Sequence, residues 1–294
     1  MRRHPILLAF ALLLVMVIIF SALVFTISAV SGRKKSLLPT ERIAVIAVEG
    51  VIADSRETIE LCEEAARDDT VRGVVLRIDS PGGAVAPSQE IYAAVRELKK
   101  KKKVIASIGS LGASGGYLIA CGADRIYANP GSITGSIATV MHLVNAQGLM
   151  NKIGLKASVI KSGKYKDIGT PAREMTTEER LLLQGVIDDM NDYFLEIVAL
   201  ERKMTKQQVR ALADGRIFSG RQALRAGLVD ELGDLNAAVQ TAGNMAGIKG
   251  KPDVFPLNRK KTFLDLVLRN SISALITAWR QQEAMPAGAY HLYE

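Results

Sequence analysis

Between Arg42 and Cys121 short apolar runs alternate with helical patterns, and that alternation restricts the fold more than any other feature. Arg42 to Val48 reads as a strand, Glu57 to Arg67 as a helix and Val71 to Ile78 as a second strand. A helix from about Pro87 to Lys101, a strand from Val104 to Ile108 and a short helix ending at Cys121 follow. Strands separated by helices at this spacing pair in parallel and are covered on both faces, so the class is a layered α/β sheet. Arg125 to Ala128 and Ala157 to Ile160 read as further strands, the latter leading into a polar loop from Ser162 to Arg173. Thr176 and Glu179 then form a capping box for a helix whose apolar face is Leu183, Ile187, Met190, Phe194 and Ile197. Ser219 and Gln222 form a second capping box, and Phe263 to Trp279 is amphipathic.

From Pro5 to Gly32 no residue is charged, in a chain of 294 residues that is 48% hydrophobic. Such a run is long enough to cross a bilayer, which takes roughly 20 residues. Ala29-Val30-Ser31 fits a signal-peptide cleavage site, but the run exceeds the usual apolar core of about 7–15 residues, which favours an uncleaved anchor. The expected organisation is a cytoplasmic end at 1–4, a transmembrane signal anchor at 5–31, a linker at 32–41, a globular domain at 42–260 and an amphipathic helix and tail at 261–294. Flanking charge leaves the orientation open, since Arg2 and Arg3 face Arg33, Lys34 and Lys35.

The net charge of +8 comes without zinc-ligand spacing, aromatic interleaving or a basic arm, so no nucleic-acid partner is expected. Lys99 to Lys103 follows a helix and reads as its solvated terminus. Cys62 and Cys121 both lie in apolar helical patterns and read as buried thiols. Three histidines, His4, His142 and His291, make no metal cluster, and neither metal nor cofactor is expected.

Three places carry candidate chemistry. Asp79-Ser80-Pro81-Gly82-Gly83 follows a buried strand, where two glycines let the backbone turn and offer N–H groups to a ligand. Gly112-Ala113-Ser114-Gly115-Gly116 sets a serine among residues with almost no side chain at a helix start, which suits a nucleophile beside an oxyanion hole and equally suits an N-cap. A serine nucleophile needs a base. His142 sits among apolar neighbours as a structural histidine would, so attention passes to Lys161, Lys164 and Lys166 in the loop Lys161 to Asp167. A lysine works as a base only when neutral, and an unperturbed pKa near 10.4 leaves roughly a thousandth deprotonated near pH 7.5.

Four segments in order carry a resemblance: Ile78 to Gly83, Ala113 to Tyr117, Gly131 to Ile137 and Ser162 to Asp167. Together they resemble the signal peptide peptidase A (SppA) family in its short, single-domain form, over roughly Ile43 to Leu232. The resemblance implies a Clp-protease/crotonase-like fold and a Ser/Lys dyad with Ser114 as nucleophile and Lys166 as general base. Ser136 would orient the lysine amine, and the N–H groups of Gly83 and Gly115 would form the oxyanion hole. It also implies a ring-shaped homo-oligomer in which neighbouring subunits share each site. The N-terminus would be cytoplasmic, the peptidase domain periplasmic or extracytoplasmic, and the cell (inner) membrane crossed once. The implied substrates are remnant signal peptides and other apolar peptides. Two other functions share the fold, an inactive membrane scaffold and a crotonase-type acyl-CoA enzyme.

Overall fold

The computed structural model describes residues 14–19 and 41–257. Residues 14–19 are helical. The rest of the uncharged run, the linker, the amphipathic stretch from Phe263 to Trp279 and the tail lie outside the described residues. Among the described residues no helix is long and apolar enough to cross a membrane.

Strands β1 (Arg42–Ile52), β2 (Val71–Gly83) and β3 (Lys103–Ala113) form the centre of an eight-stranded sheet. Its order is β6-β5-β3-β2-β1-β8, with β4 (Arg125–Ala128) pairing β3 and β7 (Glu231–Leu232) pairing β4. Strands β5 (Ile133–Gly135) and β8 (Asp253–Pro256) also pair in parallel, and β6 (Ile217–Ser219) alone runs antiparallel, against β5. Side chains alternate between the two faces of the strands, as a two-residue period requires. Ala44, Ile46, Val74, Leu76, Val104 and Ala106 pack into one core with α1 (Arg56–Arg67), α2 (Val85–Lys99) and α3 (Gly115–Cys121). Ile43, Val75 and Ile105 pack on the other side, where Ala238, Val239 and Ala242 of α8 (Leu235–Met245) cover them.

The central strands outrun their apolar cores. Ladder pairing continues through Val51↔Gly82 and Ile52↔Gly83, so the Pro-Gly-Gly segment belongs to the end of β2. Helix α2 begins at Val85, ahead of the expected Pro87, because a proline in the first turn forfeits only an N–H that has no intrahelical acceptor. Strand β3 forks: Ile105 to Ile108 pairs β4, and Leu111 to Ala113 pairs β5. That fork carries β5 to the end of the sheet where β2 and β3 finish.

Ala157 to Ile160 is not a strand. All four residues are exposed and outside any ladder, with Ile160 fully exposed. Their β-branched composition has no partner strand among the described residues to pair with. Both expected capping boxes are present, Thr176 with Glu179 opening α5 (Thr177–Arg202) and Ser219 with Gln222 opening α7 (Gly220–Arg225). Between them lies α6 (Lys206–Arg210), and α4 (Gln147–Lys152) precedes α5. Cys62 and Cys121 are unpaired and buried, and burial pushes both thiols up to about 12. In the basic block Lys99 reaches the Ala123 carbonyl and Glu201, and Lys102 reaches the carbonyls of Asp68 and Val71.

Candidate active site

Three strand ends meet at the carboxyl edge of the sheet. Ser114 follows β3 and adopts φ 53°, ψ −122°, a conformation that costs a non-glycine residue about 1–3 kcal/mol. Two bonds hold it there: its N–H donates to the Gly135 carbonyl at 2.8 Å, and its own carbonyl accepts from Leu118 N–H at 2.9 Å. The Ser114 side chain makes no capping hydrogen bond, although it stands at the N-cap of α3. It is half-buried, so its hydroxyl is reachable and uncommitted. The N-cap reading is thereby set aside.

The Pro-Gly-Gly turn lies directly against this serine. A Cβ placed on Gly82 would stand 2.7 Å from Gly115 N and 2.8 Å from Ser114 Cβ, so only glycine fits, and its φ of +94° demands the same. Ser80 fixes the turn from below, donating to the Gly50 carbonyl at 2.6 Å and accepting the Gly82 N–H at 3.1 Å. On the other side Ala84 N–H donates to the Ile52 carbonyl at 2.7 Å. Alternate residues of a parallel strand address alternate neighbours, so Gly83 turns its N–H away from β1. Gly115, first residue of α3, has a backbone N–H that the helix itself leaves without an acceptor. Behind it stands buried Ser88, whose Oγ donates to the Ala84 carbonyl and would lie 2.3 Å from a Cβ on Gly115.

Gly135 and Ser136 complete the cluster. Ala113 and Gly135 are register partners, which places Ser136 alongside Ser114. Ser136 has φ 50° and is fixed by its N–H to the Arg216 carbonyl at 2.9 Å. Thr134 and Ser132 bolt β5 to β3 through the carbonyls of Gly112 and Gly109.

The lysines differ in their surroundings. Lys164 pairs with Glu178 at 2.5 Å, and Glu178 followed by Tyr165 pushes its pKa up, the opposite of what a neutral base needs. Lys161 pairs with Asp167 at 2.5 Å. Lys166 is exposed, and its amine has no partner among the described residues. No hydrogen bond joins it to Ser114 or Ser136. His142 is also exposed, contrary to the packed role expected of it, since residues 140–144 are all exposed and lie in no helix or strand. Sequence reasoning missed the supporting roles of Ser80 and Ser88. Ser80 lies inside a quoted motif and could have been found, whereas Ser88 carries no signal. Among the described residues no group of His, Cys, Asp and Glu could hold a metal.

Fold and relatives together define the class, an α/β serine peptidase. Residues 96–249 match peptidase family S49, and the chain belongs to that family. A putative protease of Synechocystis is 44% identical over 209 residues, spanning 71% of this chain and 76% of that protein. A putative protease of Methanocaldococcus jannaschii is 36% identical over 252 residues, 81% of each. A putative signal peptide peptidase SppA of Enterococcus faecium is 34% identical over 207 residues, 66% of this chain and 60% of that one. Among solved structures the 1510-N membrane-bound stomatin-specific protease superposes with a TM-score of 0.51 at 15% identity, over 74% of this chain and 98% of that one, a likeness of fold. Membership of a peptidase family sets aside the acyl-CoA reading.

Proposed function

We propose that this chain is a membrane-anchored serine endopeptidase that degrades remnant signal peptides, with Ser114 as nucleophile and Lys166 as general base. The observation that carries the reading is the convergence of Gly82-Gly83, Ser114-Gly115 and Gly135-Ser136 on one edge of the sheet around an uncommitted serine hydroxyl. An extended apolar peptide adds as a strand beside Gly83. Ser114 Oγ attacks the scissile carbonyl while its proton passes to the neutral Lys166 amine. The carbonyl oxygen, now an anion, accepts from the N–H groups of Gly83 and Gly115. Collapse of the tetrahedral intermediate breaks the C–N bond, and the lysine proton leaves on the new amine. Water then attacks the acyl-enzyme with Lys166 again taking the proton, and Ser114 is released.

A lysine base must be neutral and Lys166 is exposed, so the reading requires a surface that buries it. A neighbouring copy of the chain supplies that surface in a ring of the Clp-protease type, bringing Lys166 of one subunit to Ser114 and Ser136 of the next. The uncharged run Pro5–Gly32 supports a single-pass anchor, and the family resemblance supports a peptidase domain outside the cytoplasm.

Hydrolysis of a fluorogenic signal-peptide-like substrate tests this. Ser114→Ala and Lys166→Ala are expected to abolish turnover, and Lys164→Ala to retain it. Turnover lost with Lys164→Ala and kept with Lys166→Ala would move the base. An assembled wild type that cleaves nothing would overturn the reading in favour of a scaffold.

A further inference from the structure

Two carboxylates belong to the elements around Lys166, Asp167 beside it in sequence and Glu178 in the first turn of α5. A carboxylate paired with the amine would hold the proton on it. Both are already taken. Glu178 accepts from Lys164 Nζ and from the Tyr165 hydroxyl. Asp167 gives Oδ1 to Lys161 Nζ at 2.5 Å and Oδ2 to Arg173 Nε at 3.0 Å. The same guanidinium grips Glu179 with both remaining nitrogens, Nη1 to Oε2 at 2.8 Å and Nη2 to Oε1 at 2.5 Å, and Nη1 also reaches the Glu174 carbonyl. Glu179 is buried and closes the capping box on Thr176 N–H at 2.9 Å. The hub therefore ties the residue next to Lys166 to the first turn of α5, whose far end is packed into the core through Phe194, Leu195, Ile197 and Val198.

We propose that Arg173 is a positioning residue that keeps Lys166 unpaired, by holding the Asp167 carboxylate away from the lysine amine while anchoring the loop to α5. The inference rests on Lys166 being the general base. Six charged groups form the hub, Lys161, Lys164, Asp167 and Arg173 on the loop and Glu178 and Glu179 from α5, each paired within it. Among the described residues Lys166 makes no ion pair, and neither do Glu174 and Arg180 beside the hub. Apolar packing does not fix this segment, since residues 151–166 are exposed. The ionic hub is what remains to do so.

The test is the pH profile of kcat for the full-length protein in detergent with a fluorogenic apolar peptide. Wild type is compared with Arg173→Ala, Arg173→Lys, Asp167→Asn, Arg173→Ala/Asp167→Asn and Lys166→Ala. Arg173→Ala leaves Lys161 on Oδ1 of Asp167 but frees Oδ2 to capture Lys166, so the acid limb is expected to move up by at least one pH unit. That is a loss of about tenfold near neutrality, recovered at high pH, with KM little changed. Arg173→Lys keeps a cation on Asp167 and is expected to stay closer to wild type. Removing the freed carboxylate as well, in the double variant, is expected to return the acid limb toward its wild-type position. A purely structural role predicts the opposite, a double variant as slow as Arg173→Ala at every pH with the limb unmoved, and that result would overturn the proposal. So would a wild-type profile in Arg173→Ala. If Lys166→Ala keeps its rate, the base assignment itself falls, and the inference with it.

Discussion

Ser114 combines a free hydroxyl with a backbone conformation that glycine adopts more readily. The surroundings sustain the strain, which turns the side chain out of the helix cap and into the open. Ser114→Gly is therefore expected to abolish peptide hydrolysis while raising the free energy of unfolding by about 1 kcal/mol, the relief of strain less the entropy cost of glycine. Chemical denaturation beside a turnover assay checks both halves, and a destabilised variant would mean that Ser114 is not strained. Gly82 makes the complementary case. Gly82→Ala puts a methyl at 2.7 Å from Gly115 N, displacing a proposed oxyanion donor without touching the nucleophile. Turnover is expected to fall about 10²–10³-fold, the usual cost of losing one such donor, with Ser114 still present. Titration with a mechanism-based serine reagent reads the surviving hydroxyl, and full turnover would show that the Gly82 turn is not part of the site.

At the scale of elements, the strands buried on both faces were legible because each carries a short apolar core: β1, β2, β3 and β4 were all found at their cores. The glycines at the end of β2 and after β3 were legible as candidate site positions. The short strands β5, β6 and β7, of three, three and two residues, were not. They are strands because β3, β4 and β5 offer ladder edges to them, which composition does not record. Ala157 to Ile160 is the converse, a strand composition with no edge to join. Glu179 was legible as half of a capping box, but its second partner, Arg173, follows from geometry alone. That pairing also sets the acid sensitivity of the loop. Arg173 first, then the Thr176 N–H, holds Glu179 down to about 2, and Arg173 followed by Lys161 holds Asp167 well below the carboxylate range. Groups with depressed pKa values stabilise the folded form above their unfolded pKa and lose that contribution as pH falls through the folded value. Residues 161–180 are thus expected to loosen progressively as pH falls from about 4.5 to about 2, while the central sheet holds. Pulsed limited proteolysis with an acid-active protease maps this directly, and cleavage elsewhere first would contradict it.

The whole molecule shows where its surface is unfinished. Helix α5 buries Phe194, Leu195, Ile197 and Val198 at its carboxyl end, yet along its first half Leu181, Leu182 and Val186 are exposed, at 68%, 46% and 45%. Leu183, Ile187 and Met190, which begin the expected apolar face, are only half-buried. The adjoining arm exposes Val140, Leu143, Val144, Leu149, Ile153 and Ile160. On the proposed reading these exposed apolar residues, on the segment that carries Lys166, are where a neighbouring copy would pack, and that contact would cover the proposed base. Breaking that surface should then separate assembly from folding. Leu182→Asp and Ile160→Asp touch no core residue, so each is expected to leave the unfolding midpoint nearly unchanged. Light scattering should report a smaller particle, and peptide hydrolysis should fall to background because Lys166 of one chain no longer reaches Ser114 of the next. Mixing a Ser114→Ala chain with a Lys166→Ala chain sharpens the point: neither is active alone, and sites shared between neighbours would restore turnover in the mixed ring. A mixture that stays inert while assembling normally would place both residues of each site in one chain.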